Sequence, residues 1–157
     1  MHTMQAARMI ATVGAGGVYK KCPPSMLLSD TCSEARIAES GSMDVILSGM
    51  RKVIDSGTAR SFADLEGVRV YGKTGTATDP GRSDEAAYGI RRNSTQNPHS
   101  WFVAIAEPAG AAPCEPAAIS RLAVAAVVPR GGGGSGAARL IAQGIIAEAN
   151  NLGYFDR

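Results

Sequence analysis

The chain has 157 residues, 45% of them apolar and 19% charged, the composition of an ordinary soluble globular protein with enough apolar content for one domain and a sizeable core. Sixteen basic residues against 14 acidic give a net charge of +2, and no long run of consecutive Lys or Arg residues exists to hold a nucleic acid or a membrane surface. The longest apolar run, residues 122–128, is far short of the roughly 20 residues that cross a bilayer, so no membrane segment is expected.

The start, Met1-His2-Thr3-Met4-Gln5, lacks the basic and apolar stretches of a secretory signal, which implies a cytoplasmic protein or one whose leader is missing. Residues 3–13 place Met4, Ala7, Ile10 and Ala11 at helical spacing, and Gly14-Ala15-Gly16-Gly17 supplies a stop. From Val18 to Gly41 no period is visible, so this part is expected to be loop with short strand pieces. Met43, Ile46, Leu47, Met50, Val53 and Ile54 then mark the clearest helix, with Asp44 suiting its first turn and Gly57 its end. Val68-Arg69-Val70-Tyr71 alternates as a strand does and leads into Gly72-Lys73-Thr74-Gly75-Thr76.

Residues 79–98 are long, polar and turn-rich, the expected mobile loop. Residues 101–106 and 121–128 read as two further strands, the second apolar on both faces and therefore buried. After Gly131-Gly132-Gly133-Gly134-Ser135-Gly136, the set Ala138, Ile141, Ile145 and Ala149 predicts a final helix. Three strands joined without helices favour antiparallel pairing, so the expected fold class is α+β, an antiparallel sheet of three strands with helices packed on it. Cys22, Cys32 and Cys114 lack metal-ligand spacing, and an odd count cannot pair completely. Free thiols are the default; a bridge between Cys22 and Cys32 belongs to a chain that works outside the cytoplasm.

Two glycine patterns suggest a nucleotide. Gly67-Val68-Arg69-Val70-Tyr71-Gly72-Lys73-Thr74 satisfies G-x-x-x-x-G-K-[ST], the phosphate-cradling loop. That loop must open a helix, whereas Val-Arg-Val-Tyr favours a strand and the residues after it include Gly and Pro. Gly131-x-Gly133-x-x-Gly136 fits the dinucleotide fingerprint between a strand and a helix. A dinucleotide unit also needs a second parallel strand, and only residues 150–157 follow that helix. Both patterns are read as structural, with no cofactor and no metal expected.

The third glycine motif, Lys73-Thr74-Gly75-Thr76, is Lys-Thr-Gly on an edge strand, known from serine acyl-enzymes beside Ser-x-x-Lys and Ser-x-Asn. Alone it is better read as an edge strand that a lysine protects from aggregation. Its surroundings add more. Met4-Gln5-Ala6-Ala7-Arg8-Met9-Ile10-Ala11 with Gly16-Gly17-Val18-Tyr19, Gly49-Met50-Arg51-Lys52-Val53-Ile54 with Gly57-Thr58-Ala59, Gly72 to Ala77, His99-Ser100-Trp101-Phe102-Val103-Ala104, and residues 122–138 follow one another as in penicillin-binding proteins. The whole chain, residues 1–157, resembles the C-terminal part of one penicillin-binding transpeptidase domain.

The resemblance implies peptidoglycan cross-linking: a serine attacks D-alanyl-D-alanine, forms an acyl-enzyme and passes the acyl group to an amine of a neighbouring stem peptide. The implied partners are a stem peptide or a β-lactam. Lys73 would face the substrate carboxylate, and Thr74 and Thr76 would donate hydrogen bonds to it. Gly75 would leave room for the substrate backbone, and the Thr76 N–H would be one oxyanion-hole donor.

No catalytic residue is assigned, because the residues three before Lys20, Lys21, Lys52 and Lys73 are Gly17, Val18, Gly49 and Val70, so no Ser-x-x-Lys exists. No Ser-x-Asn exists either, since Asn97 follows Ser94 one place late. The nucleophile, its base and the N-terminal part of the domain are therefore expected to be missing, and with them the membrane anchor of a periplasmic parent. Ser100 beside His99 is not a substitute, because neighbours on a strand point to opposite faces; Trp101 and Phe102 are expected to be core and sheet-face residues. The resemblance also implies that the strand over residues 121–128 lacks a neighbour and presents an open apolar edge. Alternatives are a non-catalytic module for stem peptides or a partner protein and, more remotely, a nucleotide-binding protein.

Overall fold

The computed structural model describes residues 2–21, 32–62, 65–77, 98–111 and 121–156. In chain order these form α1 (Thr3–Gly14), β1 (Val18–Lys21), β2 (Ser33–Arg36), α2 (Ser40–Asp55), β3 (Val68–Ala77), β4 (His99–Pro108), β5 (Leu122–Val128) and α3 (Ala137–Asn151). The α+β class and the antiparallel three-stranded sheet are as expected, with order β3-β4-β5. The segment after α1 holds a separate antiparallel hairpin of β1 and β2, whose second strand is exposed throughout.

Alternation along the strands divides the apolar residues between two faces. On one face Phe102, Ala104 and Ala106 of β4 lie beside Val68 and Val70 of β3 and Val124 and Ala126 of β5, covered by Ala138, Ala142 and Ile146 of α3. On the other, Tyr71 and Ile105 pack with Ile10 of α1 and with Leu47 and Met50 of α2. Helix α2 runs beside β3 and feeds both clusters, since its Ile54 joins the first. Its start at Ser40 leaves Asp44 beyond the first turn, where the helix dipole gives it little.

The helix faces differ from expectation in an instructive way. In α3 the buried apolar residues are Ala138, Ala142 and Ile146, while Ile141 and Ile145 are 48% and 45% exposed. In α1, Ile10 is buried as expected, but with Ala6, Thr12 and Gly14, whereas Met4 is exposed. Small residues bring these helices close to the sheet: a Cβ at Gly14 would already touch Ile105 at 3.4 Å. The longer side chains are thereby displaced to the flanks.

One flank of α3 is tied down, and the apolar residues of the other are exposed. Arg139 donates to the Ser61 carbonyl at 2.9 Å and Asn150 to that of Glu66 at 3.2 Å, both on the connection that enters β3. Ile141 and Leu152 lie about 200° round the helix from Arg139 and Asn150. They therefore overhang the β5 side of the sheet. There β5 pairs only with β4 among the described residues.

Cys32 is disulfide-bonded, which corrects the expectation of free thiols and suits an oxidising compartment. Cys22, Cys114 and nearly all of the expected mobile loop at 79–98 lie outside the described residues.

Candidate substrate-binding strand

The strand β3 is a single extended element from Val68 to Ala77 and contains the whole of the Lys-Thr-Gly-Thr motif. The would-be phosphate loop at 67–74 is thus strand, and no helix follows it within β3. Likewise the 131–136 turn lies behind an antiparallel strand, not in a parallel dinucleotide unit.

Helix α2 ends at Asp55, and Thr58 just beyond it reaches Thr74, so the part of β3 from Lys73 onward projects past the helix. Lys73 and Thr76 are exposed, and Thr74 and Gly75 are half-buried. The partners of Lys73 and Gly75 across the ladder are Val103 and Trp101, those of Thr74 and Thr76 are Phe102 and Ser100. Lysine and threonines therefore occupy opposite faces of the strand. The Lys73 ammonium donates to the Thr74 carbonyl at 2.6 Å.

Each threonine hydroxyl has a fixed neighbour. Thr74 Oγ1 and Thr58 Oγ1 are 2.7 Å apart, and either can donate. Thr76 Oγ1 accepts from the Gly134 N–H at 3.2 Å. Gly134 lies directly on the strand: a Cβ there would come within 2.4 Å of the Gly75 carbonyl oxygen and 2.5 Å of its nitrogen. Only glycine fits that approach. At Gly75 itself a Cβ would stand 3.1 Å from the Trp101 Cβ, a tight contact, so the neighbouring strand also disfavours a side chain there.

Ser100 explains how the glycine turn is held. It is fully buried; its hydroxyl donates to the Gly133 carbonyl at 2.9 Å and accepts from the Ala138 N–H at 3.2 Å, capping a first-turn donor of α3. With both capacities used and no base beside it, Ser100 is a fastening and not a nucleophile. His99 Nδ1 accepts from the Arg130 N–H at 3.0 Å on the same turn, and Phe102 is fully buried. The sequence singled out the Lys-Thr-Gly strand but not Thr58 or Gly134, whose roles depend on contacts 16 and 58 residues apart.

At the other end of the same strand pair lies a buried polar cluster. Glu107 is 1% exposed and takes the Tyr71 hydroxyl at 2.8 Å and Arg121 Nε at 2.7 Å, with Arg69 at 3.5 Å. Arg121 also donates to the Gly14 carbonyl at the end of α1, and Arg69 to the carbonyls of Ala109 and Ala111. Burial first, then the Glu107 hydrogen bond, raises the Tyr71 phenol above its ordinary value. A nearby cleft of about 280 Å³ is lined by Arg8, Thr12, Lys20, Ile105 and Arg121 among others, with none of residues 73–76. Among the described residues no group of three or more His, Cys, Asp or Glu side chains could hold a metal ion.

An antiparallel sheet between helices, with Lys-Thr-Gly-Thr on its edge strand, is the arrangement of a penicillin-recognising acyl-transfer domain. The family model described as the penicillin binding protein transpeptidase domain matches residues 1–141, and the chain belongs to that family. Among solved structures, the apo transpeptidase domain of Burkholderia pseudomallei penicillin-binding protein 3 is 19% identical, with a TM-score of 0.57, over 94% of this chain and 41% of that one. A peptidoglycan glycosyltransferase from Burkholderia ambifaria is 20% identical, with a TM-score of 0.54, over 95% of this chain and 40% of that one. These likenesses are of fold, and the chain spans about two fifths of the length of each. No curated protein matches at the same level of significance.

Proposed function

We propose that the chain forms the substrate-binding wall of a peptidoglycan D,D-transpeptidase site, and that the serine, its lysine base and the Ser-x-Asn motif belong to another part of the domain. The observation that carries this reading is the stretch Lys73 to Thr76, with Lys73 and Thr76 exposed and Thr74 and Gly75 half-buried, projecting past α2 on an edge strand with no second neighbour among the described residues. An extended peptide ending in D-alanyl-D-alanine lies along that edge as an added strand. Lys73 supplies positive charge, Thr74 and Thr76 bind the terminal carboxylate, and the Thr76 N–H stabilises the oxyanion. The serine supplied elsewhere takes the acyl group, free D-alanine leaves, and the amine of a second stem peptide receives the acyl group.

The β5 edge, without a second neighbour among the described residues, and the exposed apolar flank of α3 support the idea of a partial domain. Ile141, Ile145 and Leu152 overhang an apolar edge without charge or proline, which in a stable fold is covered. The bonded Cys32 accords with a parent at the extracytoplasmic face of a membrane. No helix among the described residues is long and apolar enough to cross one.

Fluorescent penicillin tests the assignment. The chain alone is expected to take no stable label, and labelling would overturn the placement of the nucleophile elsewhere. The isolated chain is also expected to self-associate through the β5 edge; a monodisperse monomer that melts cooperatively would count against a partial domain. A second reading, a non-catalytic module that holds stem peptides or a partner protein, is favoured by a complete Lys-Thr-Gly-Thr strand without any Ser-x-x-Lys. Supplying the remainder of a transpeptidase domain in trans separates the two, since only the first reading expects labelling to appear.

A further inference from the structure

Thr58 is held more firmly than an exposed threonine in a connection needs to be. On one side of it, a Cβ at Gly57 would lie 2.7 Å from the Val53 Cα, so the chain folds back on α2 more closely than any other residue allows. On the other, Ala59 is fully buried, donates its N–H to the Val53 carbonyl at 3.0 Å and accepts from the Phe62 N–H at 2.8 Å. Thr58 is pinned between these two fixed points, and its hydroxyl meets that of Thr74 at 2.7 Å.

The two threonines of the motif differ in what their neighbours permit. Gly134 offers Thr76 an N–H, which can only donate, so the Thr76 hydroxyl keeps its own hydrogen for an outside acceptor. Thr58 offers Thr74 a hydroxyl, which can donate or accept. When Thr58 accepts, the Thr74 hydrogen is used up inside the protein. When Thr58 donates, the Thr74 hydrogen is released outward, and the chain from Thr58 through Thr74 to an anion strengthens at each link.

We propose that Thr58 is a positioning residue: a ligand carboxylate at Thr74 turns the Thr58 hydroxyl into the donor, making Thr74 a donor outward and giving the site its preference for a free carboxylate. This deepens the proposed function and rests on it. Thr58 does not touch the ligand.

The sole tryptophan, Trp101, stands opposite Gly75 and reports occupancy of the strand at protein concentrations too dilute for association. The chain is titrated with N-acetyl-D-alanyl-D-alanine and with its C-terminal amide. The unaltered chain is expected to prefer the carboxylate. In Thr58→Val the Thr74 hydroxyl loses the donor that orients it outward, and carboxylate binding is expected to fall about three- to tenfold while amide binding stays. Thr58→Ser restores the preference, and Thr58→Ala reproduces the loss without a branched side chain. If the Val and Ala variants keep the preference, or lose affinity for both probes equally, Thr58 is only structural and the proposal fails. If the unaltered chain responds to neither probe, the proposed function fails first and takes this inference with it.

Discussion

Strand β3 carries polar side chains at both ends, and the fold treats them in opposite ways. At the Tyr71 end the phenol, the Glu107 carboxylate and two guanidinium groups satisfy one another, with Glu107 sealed from solvent. At the Lys73 end the ammonium is exposed, and the Thr76 hydroxyl retains a hydrogen that no internal acceptor claims among the described contacts. Polar groups consumed by the fold stabilise it, whereas polar groups left facing outward are available to a ligand. Only Gly72 separates Tyr71 from Lys73, so the boundary between scaffold and site falls within one period of the strand's alternation.

That contrast breaks most visibly at Glu107. Glu107→Ala leaves two guanidinium groups and a buried phenol without their common acceptor, and removal of one partner from a buried ionic cluster costs about 3–5 kcal/mol. Lys73→Ala, at the open end, is expected to change stability by no more than about 0.5 kcal/mol. Urea titration of both variants checks the pair, and equal effects would erase the distinction. Ser100→Ala comes next. It orphans the Gly133 carbonyl and the Ala138 N–H, for an expected loss of about 1–3 kcal/mol in the same assay. Because Ser100 fastens the turn that lies on Gly75, this variant should also weaken the Trp101 response to N-acetyl-D-alanyl-D-alanine. A variant of unchanged stability would mean that the turn is held by other contacts.

Much of this was legible in the residues. Helix α2 announced itself through Met43, Leu47, Met50 and Ile54, all buried, and the Lys-Thr-Gly strand through its alternation. What periodicity could not give was the rotation of α1 and α3. It assigns the core face to the largest apolar side chains, and here alanine and glycine face the sheet while Met4, Ile141 and Ile145 are turned to the flanks. Close helix-to-sheet approach decides that rotation, and it depends on both surfaces together. The sequence excludes Ser100 as a nucleophile but does not show its role, for a related reason: its partners, Gly133 and Ala138, are more than 30 residues away. The same distance hid Gly134 above Gly75, where the reason for a glycine is another strand's backbone.

The smallest expected effect concerns Tyr71, and it sharpens the comparison by pH. Tyr71→Phe removes one of several groups on Glu107 and leaves Arg121 in place, so the loss at neutral pH is expected to be about 1 kcal/mol. The buried phenol titrates above its ordinary value of about 10, so below pH 10 both native and unfolded chains hold its proton. Above pH 10 the unfolded chain releases that proton while the native chain keeps it. The native state then binds more protons, and stability falls as pH rises from about 10 through the raised value. Tyr71→Phe lacks this term, so its advantage to the folded state does not decline in that window, and the gap between variant and parent narrows on the alkaline side. Urea midpoints at pH 8 and at two values above 10 measure it. A gap that stays constant would show that Tyr71 titrates as a solvent-exposed phenol does, and that the closed end of the strand is open to water after all.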